Sequence, residues 1–474
     1  MATLTITIGS FQPAHALPDV AEGITSKCKI TVSEGDAAVL TDKAMKTHWA
    51  PASGRGRITI ELPDQPAGGL SVSWFEEPED FLISAKDKNG SECNRYARET
   101  GFVKIKDYFE LDPNVRKITI EVNSAKDAVS ELSVFSQGTL PASVQVWDDP
   151  VKKADFMVVS AHQDDELLWF GGAIPEYAVD RGKRTVVVYM ANCGRLRRKE
   201  AMDGLWAMGI KNHPVFNNFV DKRSRDLQEG LEMWGGEDKV VGKLVENIRQ
   251  YKPSVVLSHD LNGEYGHGGH RATAYAVQKA VEAASDKDKY PESAAKYGAW
   301  QVKKLYLHLY PDQQMTMDWN QPLKAFGGKT GYEMACIGYA QHQSQQGFYQ
   351  MEQGGKYDNT KFGLAYTSVG EDAEKNDFFE HVKELGATSG GDETDNATGT
   401  QDEQTAPPQR EGGSWLVYVM LGVLCTAVLA VAALWWTKRN AQLRTTRSQA
   451  AMRRGDTRLA RQNGRTRRPG PRKR

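Results

Sequence analysis

Residues 158–169 read VVSAHQDDELLW and place a histidine and three consecutive acids directly behind an apolar run. The run that begins at Asp155 is typical of a strand that is buried on both faces, and residues 166–180 have the pattern of a helix. Charge beside a buried strand costs free energy unless a partner neutralises it. The stretch therefore predicts a strand that ends at a polar site, with the partner of the acids elsewhere in the chain.

Strands and helices alternate after this stretch. Three more apolar runs predict strands, at Arg184–Met190, Pro253–His259 and Val302–Tyr310. Helical patterns separate them, at Arg197–Ile210, Asp226–Tyr251 and His270–Ala284. This order predicts βαβ units: an α/β fold with a Rossmann-like, mostly parallel sheet and helices on both faces. Functional sites in such sheets form beyond the C-terminal ends of the strands, which is where the opening stretch lies.

A second polar cluster, GEYGHGGHR at residues 263–271, follows the third predicted strand. Its two histidines, His267 and His270, are three residues apart, and so are His162 and Asp165 in the first cluster. This spacing places each pair on one face of a helical turn. Loops at the ends of strands of one parallel sheet can meet, so that the two clusters together offer one carboxylate and two or three imidazoles.

This donor set suits zinc, because imidazole and carboxylate are both zinc ligands. A catalytic zinc needs three protein ligands and one open position, and His162, Asp165 and His270 satisfy that number. Asp164 and His267 are then left for acid–base work. Each cluster alone has a simpler interpretation, since acids are common at a helix N-terminus and paired histidines are common on exposed loops. Their common position after strands of one sheet favours the metal site.

Four motifs in this order resemble the PIG-L/LmbE family of zinc-dependent N-deacetylases. They are AHQDDE at 161–166, an R-x-x-E helix with Arg197 and Glu200, GHGGH at 266–270, and HQSQ at 342–345. The resemblance covers roughly residues 155–345. One departure is Gln163, where the family commonly has proline. Because proline bears no ligand, the metal hypothesis is unaffected, but we expect a less rigid loop.

The resemblance implies roles for individual residues. His162, Asp165 and His270 correspond to the zinc ligands and Asp164 to the general base. His267 corresponds to the group that polarises or protonates the tetrahedral intermediate. These roles agree with the chemistry of zinc hydrolases, in which the metal acidifies water and a carboxylate takes its proton.

Four further polar residues lie close to these motifs. Asn192, Arg197 and Arg198 follow the end of the second predicted strand, and we expect them to line the substrate pocket. For the two arginines, an ordinary place on a helix surface is an equal alternative. Glu166 is expected either to cap the helix or to support a metal ligand.

Residues 25–145 predict an antiparallel β-sandwich, because short alternating strands are separated by turn-rich segments. The segments Val39–Pro51, Arg57–Pro63 and Glu131–Gly138 resemble the discoidin, or galactose-binding-like, family. This resemblance implies binding to a cell-surface glycan, although many such domains are only spacers. The deacetylase-like domain is predicted at 150–385.

The C-terminal part has a different composition. A polar linker is predicted at 386–413, a transmembrane helix at 414–437 and a basic cytoplasmic tail at 438–474. Trp415–Trp436 contains no charged residue, and a buried core helix is the alternative. The basic flank predicts a single-pass protein of the cell membrane, in contact with lipid, whose catalytic domain is extracytoplasmic.

An extracytoplasmic domain requires an export signal, and residues 1–24 are interpreted as the remnant of a signal peptide, with an unstructured N-terminus as the alternative. None of the five cysteines forms a CxxC pair, which argues against a cysteine-ligated zinc. Whether Cys28 and Cys93 form a disulfide stays open at this point.

Charge excludes one class of function. The tail after Thr437 holds 14 Lys or Arg residues and one Asp, so the rest of the chain is acidic despite a net charge of -1 for the whole. A general nucleic-acid partner is therefore not expected. The sequence predicts a membrane-anchored, zinc-dependent hydrolase that removes acetyl from an N-acetylated amino sugar. The alternatives are an amidase of the same family that acts on another acyl amide, and a catalytically silent glycan-binding surface protein.

Overall fold

The computed structural model describes residues 20–44, 46–98 and 104–383. All of them belong to one compact unit, Met1–Ala387. The predicted linker, transmembrane helix and basic tail lie outside the described residues, as does most of the predicted signal-peptide remnant. Cys28 and Cys93 are both free thiols.

The N-terminal region consists of antiparallel strands. They are β1 (Lys29–Val32), β2 (Gly56–Glu61), β3 (Ala67–Trp74), β4 (Phe81–Lys86), β5 (Glu92–Ala97), β6 (Lys106–Glu110), β7 (Lys117–Val122) and β8 (Val129–Ser136). In the part of the chain that the structure describes, they form a five-stranded sheet of order β1-β2-β7-β4-β5 and a three-stranded sheet of order β6-β3-β8.

Alternation of apolar and polar residues explains these sheets. Ile58 pairs with Ile120 and Ile60 with Ile118 across β2 and β7, and all four side chains are fully buried. The residues between them turn to the other face, since successive side chains of a strand point in opposite directions. Side chains from both sheets enter one apolar cluster. The resemblance of this region to discoidin domains stays a prediction.

The second region is a mixed α/β fold, as the sequence predicted. Its strands are β9 (Phe156–Ser160), β10 (Thr185–Asn192), β11 (Val215–Val220), β12 (Val255–Ser258), β13 (Lys304–His308), β14 (Gln314–Thr316) and β15 (Lys361–Thr367). Its helices are α1 (Asp165–Leu168), α2 (Arg195–Ala207), α3 (Leu227–Met233), α4 (Glu237–Tyr251), α5 (Gly268–Ala284), α6 (Pro291–Tyr297) and α7 (Gly331–Tyr339).

The strand order of this sheet, within the described residues, is β11-β10-β9-β12-β13-β15-β14. The first five strands of this order, from β11 to β13, run parallel, whereas β15 is antiparallel to both of its neighbours, β13 and β14. β9 lies in the middle of the five parallel strands, and its side chains alternate between the apolar clusters of the two faces, with Val158 in one and Val159 in the other. The loop after β9 therefore lies between those of β10 and β12.

The helix predicted at 166–180 is interrupted. α1 ends at Leu168, and a π-helical segment begins at Ile174. Between them, Gly171 has a φ of +54°, and a Cβ there would lie 2.5 Å from Nε1 of Trp319. The break thus allows the Trp319 indole to approach the backbone directly, which no side chain at Gly171 would permit.

The predicted membrane location requires correction. No helix within residues 20–44, 46–98 and 104–383 combines the length and apolar character needed to cross a bilayer. The segment 414–437, on which the prediction of a single-pass membrane protein with an extracytoplasmic catalytic domain rested, lies outside the described residues. The prediction of a cell-membrane location is accordingly withdrawn.

His213 lies just before β11 in the α/β region and contacts the N-terminal region. It is 1% exposed, its Nδ1 lies 2.6 Å from the carbonyl oxygen of Pro214, and its Nε2 accepts the backbone N–H of Ile105 at 3.4 Å. Burial lowers the pKa of His213 to about 3. The neutral ring therefore donates from Nδ1 and accepts at Nε2, and protonation of Nε2 would remove the contact with Ile105 beside β6.

Stability should therefore decrease in acid. The unfolded chain binds a proton at His213 below about pH 6.5, whereas the folded chain does so only near pH 3. We expect this residue to contribute a slope of about 1.4 kcal/mol per pH unit between those limits, with stability falling as pH falls. Urea unfolding from pH 7 to 5 should show a shallower slope for His213→Gln than for the parent chain. His381→Gln, at a half-exposed histidine, should keep the parent slope, and equal slopes for parent and His213→Gln would contradict the prediction.

Candidate active site

The candidate site lies beyond the C-terminal ends of the central parallel strands. The loop after β9 carries His162 and Asp164, and Asp165 begins α1. The loop after β12 leads through Glu264 to α5, whose first turn carries His270. The fold therefore brings the two strand-end loops together, as the sequence predicted.

Three donor atoms converge at this place. Nδ1 of His162 lies 2.9 Å from Oδ2 of Asp165 and 3.2 Å from Nε2 of His270, and the latter two atoms are 3.2 Å apart. The three residues are at most 5% exposed. Ligand atoms about 2.0–2.1 Å from a tetrahedral zinc are separated by roughly 3.3 Å. The donor set and its spacing thus fit a zinc ion.

Neighbouring groups orient Asp165. Its Oδ1 accepts the indole N–H of Trp169 at 2.8 Å, and its Oδ2 accepts the backbone N–H of His162 at 2.8 Å. The i, i+4 relation to Trp169 follows from the turn that α1 forms. Burial opposes ionisation of Asp165, yet His270 and His162 hold its pKa well below the usual range. The carboxylate is therefore kept charged and aimed at the two imidazoles.

Glu264 holds three histidines in position through hydrogen bonds, and the sequence did not reveal this role. Its Oε2 lies 2.7 Å from Nδ1 of His270 and 2.8 Å from Nδ1 of His259, and its Oε1 lies 2.7 Å from Nδ1 of His308. All four side chains are fully buried. Burial alone would raise the pKa of Glu264, but the three histidines hold it well below its usual value. A carboxylate on Nδ1 of His270 directs Nε2 toward the metal position.

The described residues offer two groups that could hold a metal, His162–His267–His270 and Asp165–His259–His270. His259 is a poor ligand, because its Nε2 already accepts the backbone N–H of Ala161 at 2.8 Å. His267 accepts the N–H of Gly269 at Nδ1 (3.2 Å), which leaves the ring proton on Nε2. These contacts favour the set His162, Asp165 and His270.

Asp164 faces the same space from an unusual backbone conformation. Its φ is +126°, a value that side chains rarely adopt and that is maintained at functional sites when the surroundings impose it. The guanidinium of Arg197, on α2, donates to Oδ1 of Asp164 and to the carbonyl oxygen of Gln163. Burial raises the pKa of Asp164 well above its usual value, and Arg197 opposes that shift.

Gln163 anchors the loop in which the resemblance would place proline. Its side chain is fully buried, and its Nε2 donates to the carbonyl oxygen of Ala191, near the end of β10, at 2.8 Å. A hydrogen bond to the neighbouring strand thus fixes the loop, where proline would have fixed it through its ring.

The R-x-x-E and HQSQ motifs contact each other. Glu200 of α2 accepts the backbone N–H and the hydroxyl of Ser344 at 2.7 and 2.6 Å. Glu166 accepts the backbone N–H of Asp164 at 3.0 Å and lies 3.7 Å from Nε2 of His342, and burial raises its pKa to about 7. Both motifs therefore support the loop that carries Asp164.

A cavity of about 200 Å³ opens onto these groups. Aromatic side chains form much of its wall, and the rings of Tyr265 and Tyr349 stack at 4.5 Å. Its lining residues are His162, Asp164, Asp165, Leu168, Trp169, Arg197, Asp221, Tyr265, His267, Gln345, Phe348 and Tyr349. Of the three residues expected to line a substrate pocket, only Arg197 does so. Asn192 accepts the backbone N–H of Gly194 at 3.0 Å instead, and Arg198 lines a different cavity.

Comparison with known proteins agrees with this geometry. Residues 157–281 match the model of the family described as PIG-L: GlcNAc-PI de-N-acetylase. This part of the chain is a PIG-L family deacetylase domain. It contains the strand, both histidine clusters and α2. The predicted resemblance is confirmed for this domain.

Two curated relatives each match part of the chain. A 1D-myo-inositol 2-acetamido-2-deoxy-alpha-D-glucopyranoside deacetylase of Catenulispora acidiphila is 24% identical over 211 residues, covering 39% of this chain and 64% of the relative. The mycothiol S-conjugate amidase of Streptomyces coelicolor is 31% identical over 177 residues, covering 32% of this chain and 59% of the relative. The chain thus spans less than two thirds of the length of these relatives.

Among solved structures, the N,N'-diacetylchitobiose deacetylase of Pyrococcus horikoshii matches with a TM-score of 0.32 and 19% identity. The match covers 41% of this chain and 72% of that chain.

The role of Glu264 in orienting His270 can be tested by measuring zinc affinity. Glu264→Gln keeps the shape of the side chain but removes the charge that orients His270. We expect zinc affinity to fall by about 10- to 100-fold, the usual effect of losing such a partner. Competition with a chromophoric chelator measures the affinity directly.

Glu282→Gln, at an exposed glutamate on α5, is the matched control and should retain zinc like the parent chain. Unchanged zinc affinity in a folded Glu264→Gln protein would show that His270 does not need this carboxylate.

Proposed function

We propose that this protein is a zinc-dependent hydrolase that removes the acetyl group from an N-acetylated amino sugar of the N-acetylglucosaminide type. The observation that carries the proposal is the convergence of His162, Asp165 and His270 within 2.9–3.2 Å of one another, with Asp164 in the same cavity. A metal position with a carboxylate beside it is an arrangement that can hydrolyse an amide.

We assign His162, Asp165 and His270 as the zinc ligands. A zinc ion held there supplies Lewis acidity and makes water acidic enough to lose a proton near neutral pH. The assignment is supported by the mutual distances of 2.9–3.2 Å between one ligand atom of each residue and by the hydrogen bonds that occupy His259 and His267.

Asp164 is assigned as the general base. It takes a proton from the water that attacks the amide carbon, and the proton then passes to the leaving nitrogen, so that acetate and a free amine result. Arg197 holds this carboxylate in place through its guanidinium. The position of the Asp164 carboxylate therefore depends on Arg197, which lies in the first turn of α2.

His267 is assigned to the developing oxyanion. Burial, with His162 and His270 nearby, lowers the pKa of His267 to about 3, so the ring is neutral. Its Nδ1 is occupied by Gly269, and Nε2 therefore presents an N–H toward the cavity. A fixed N–H donor stabilises negative charge on the carbonyl oxygen as the amide carbon becomes tetrahedral.

An amino sugar suits the wall of the cavity. The stacked rings of Tyr265 and Tyr349, with Phe348 exposed at the rim, offer apolar faces for a pyranose ring. The name of the Catenulispora relative specifies a 2-acetamido-2-deoxyglucopyranoside substrate for that enzyme. Together these features favour an acetamido sugar.

An amidase that acts on another acyl amide is the second candidate. It is favoured by the match to the mycothiol S-conjugate amidase, the relative with the higher of the two identities. The two functions share the metal position and Asp164 and differ in the acyl group. Side-by-side assays with N-acetyl and longer N-acyl glucosaminides distinguish them by the ratio of kcat/KM values.

The proposal is tested with the purified full chain, zinc and an N-acetylglucosaminide, by measuring the release of free amine. We expect activity that a chelator abolishes and that added zinc restores. Asp164→Asn should lower kcat by about 10²- to 10⁴-fold with its zinc content unchanged, because it removes the base and leaves the ligands.

Asp64→Asn, at a fully exposed aspartate, should keep full activity. If the parent chain and Asp164→Asn are equally inert toward a panel of amides while a glycan still binds, the protein is a silent glycan-binding protein and the proposal is wrong.

A further inference from the structure

A second, larger cavity lies between the N-terminal sheet and the α/β region. Its volume is about 510 Å³, within the roughly 300–1,000 Å³ of small-molecule sites. One wall is the face of α2 that carries Arg195, Arg198, Lys199 and Met202, at the spacing of a single helical stripe. The opposite wall is the three-stranded sheet β6-β3-β8.

The wall formed by the sheet is polar. In adjacent strands, Ser71 pairs with Ser133, and Ser73 pairs with Glu131 on one side and Lys106 on the other. A sheet face that packs on a helix is normally apolar. Around the whole cavity, the lining contains five serines and five basic side chains against one acidic side chain. Such a lining suits a ligand with several hydroxyl groups and a negative charge.

Arg198 is the residue that most clearly indicates a ligand in this cavity. It is 2% exposed, and its Nε has no hydrogen-bond partner in the part of the chain that the structure describes. Its Nη2 and Nη1 form only long ion pairs, with Glu76 at 3.8 Å and Glu77 at 3.9 Å, beyond hydrogen-bonding distance. A buried guanidinium nitrogen without an acceptor is costly, and a planar oxyanion is a group that the donors of a guanidinium match.

Lys106 adds a cation that has no ion pair among the described residues. Two other cations beside it have closer partners: Lys199 contacts Asp203, and Arg195 lies 3.5 Å from Glu76 and over the ring of Phe75. Burial lowers the pKa of Lys106. Arg198, through its Nε, and Lys106 therefore offer the cavity donors that lack an acceptor among the described residues.

This cavity is separate from the candidate active site. Arg197 lines the cavity of His162, whereas its neighbour Arg198 lines the larger one. Consecutive residues of a helix point about 100° apart, which is how α2 serves both spaces.

We infer that the larger cavity is a second binding site, for a molecule of monosaccharide size that bears an oxyanion group. Arg198 and Lys106 hold the oxyanion, and the serine hydroxyls of β3 and β8 hold the hydroxyl groups of the ligand. A carboxylate and a phosphate ester share this chemistry. The site lies beyond the proposed deacetylase reaction and does not depend on it.

Titration calorimetry on the full chain tests the inference, with D-glucuronate, D-glucose 6-phosphate and D-glucose as probes. We expect at least one anionic probe to bind at least about tenfold more tightly than glucose, and the better one identifies the oxyanion. Arg198→Gln should weaken that binding about tenfold or more. Arg225→Gln, at an exposed arginine, and Asp164→Asn, in the other cavity, should leave it unchanged.

Absence of binding by both anionic probes overturns the inference, and so does equal binding by Arg198→Gln and the parent chain. Because Arg198 is buried, Lys106→Met is the second variant, and it decides the question if Arg198→Gln does not fold. Loss of anion binding in Lys106→Met supports the site, and unchanged binding refutes it.

Discussion

The buried carboxylate of Glu264 is the contact on which the candidate active site depends. It accepts hydrogen bonds from His259 at the end of β12, from His270 on α5 and from His308 at the end of β13. A carboxylate removed from water is strongly destabilising unless charge and hydrogen bonds compensate it. Three imidazoles do so here, and the same contacts fix which nitrogen of His270 faces the metal position. The carboxylate of Glu264 thus joins the ends of β12 and β13 and also sets the orientation of the proposed metal ligand His270.

Much of this arrangement could be predicted from the sequence, for a physical reason. Parallel strands end at one edge of a sheet, so two polar clusters that each follow such a strand can meet, and here they do because β9 and β12 are neighbours. The spacing of His162 and Asp165 then implies one face of a turn. The π-helical segment and the break before it were not predictable, because the need for Gly171 comes from Trp319, which is distant in the sequence.

The parts that escaped prediction depend on contacts between distant segments. His259 is the last residue of one predicted strand and His308 lies two residues before the end of the next, and nothing local connects them to Glu264. A histidine near the end of each of two adjacent strands was the available signal. The adjacent residues Arg197 and Arg198 of α2 were also ambiguous. The sequence shows that they are neighbours, but it does not show which way each side chain points. Only the packed helix assigns Arg197 to one cavity and Arg198 to the other.

The contact between Glu200 and Ser344 has a consequence for how this site can change over evolution. It ties the segment that leads to Gln345, Phe348 and Tyr349 to α2, while the histidine shell is held separately by Glu264. The two parts still communicate, because Tyr349 stacks on Tyr265, whose ring centroid lies 5.2 Å from that of His270. A substitution at Tyr349 is therefore separated from a metal-facing imidazole by one aromatic ring, and the rim cannot change independently of the candidate metal position.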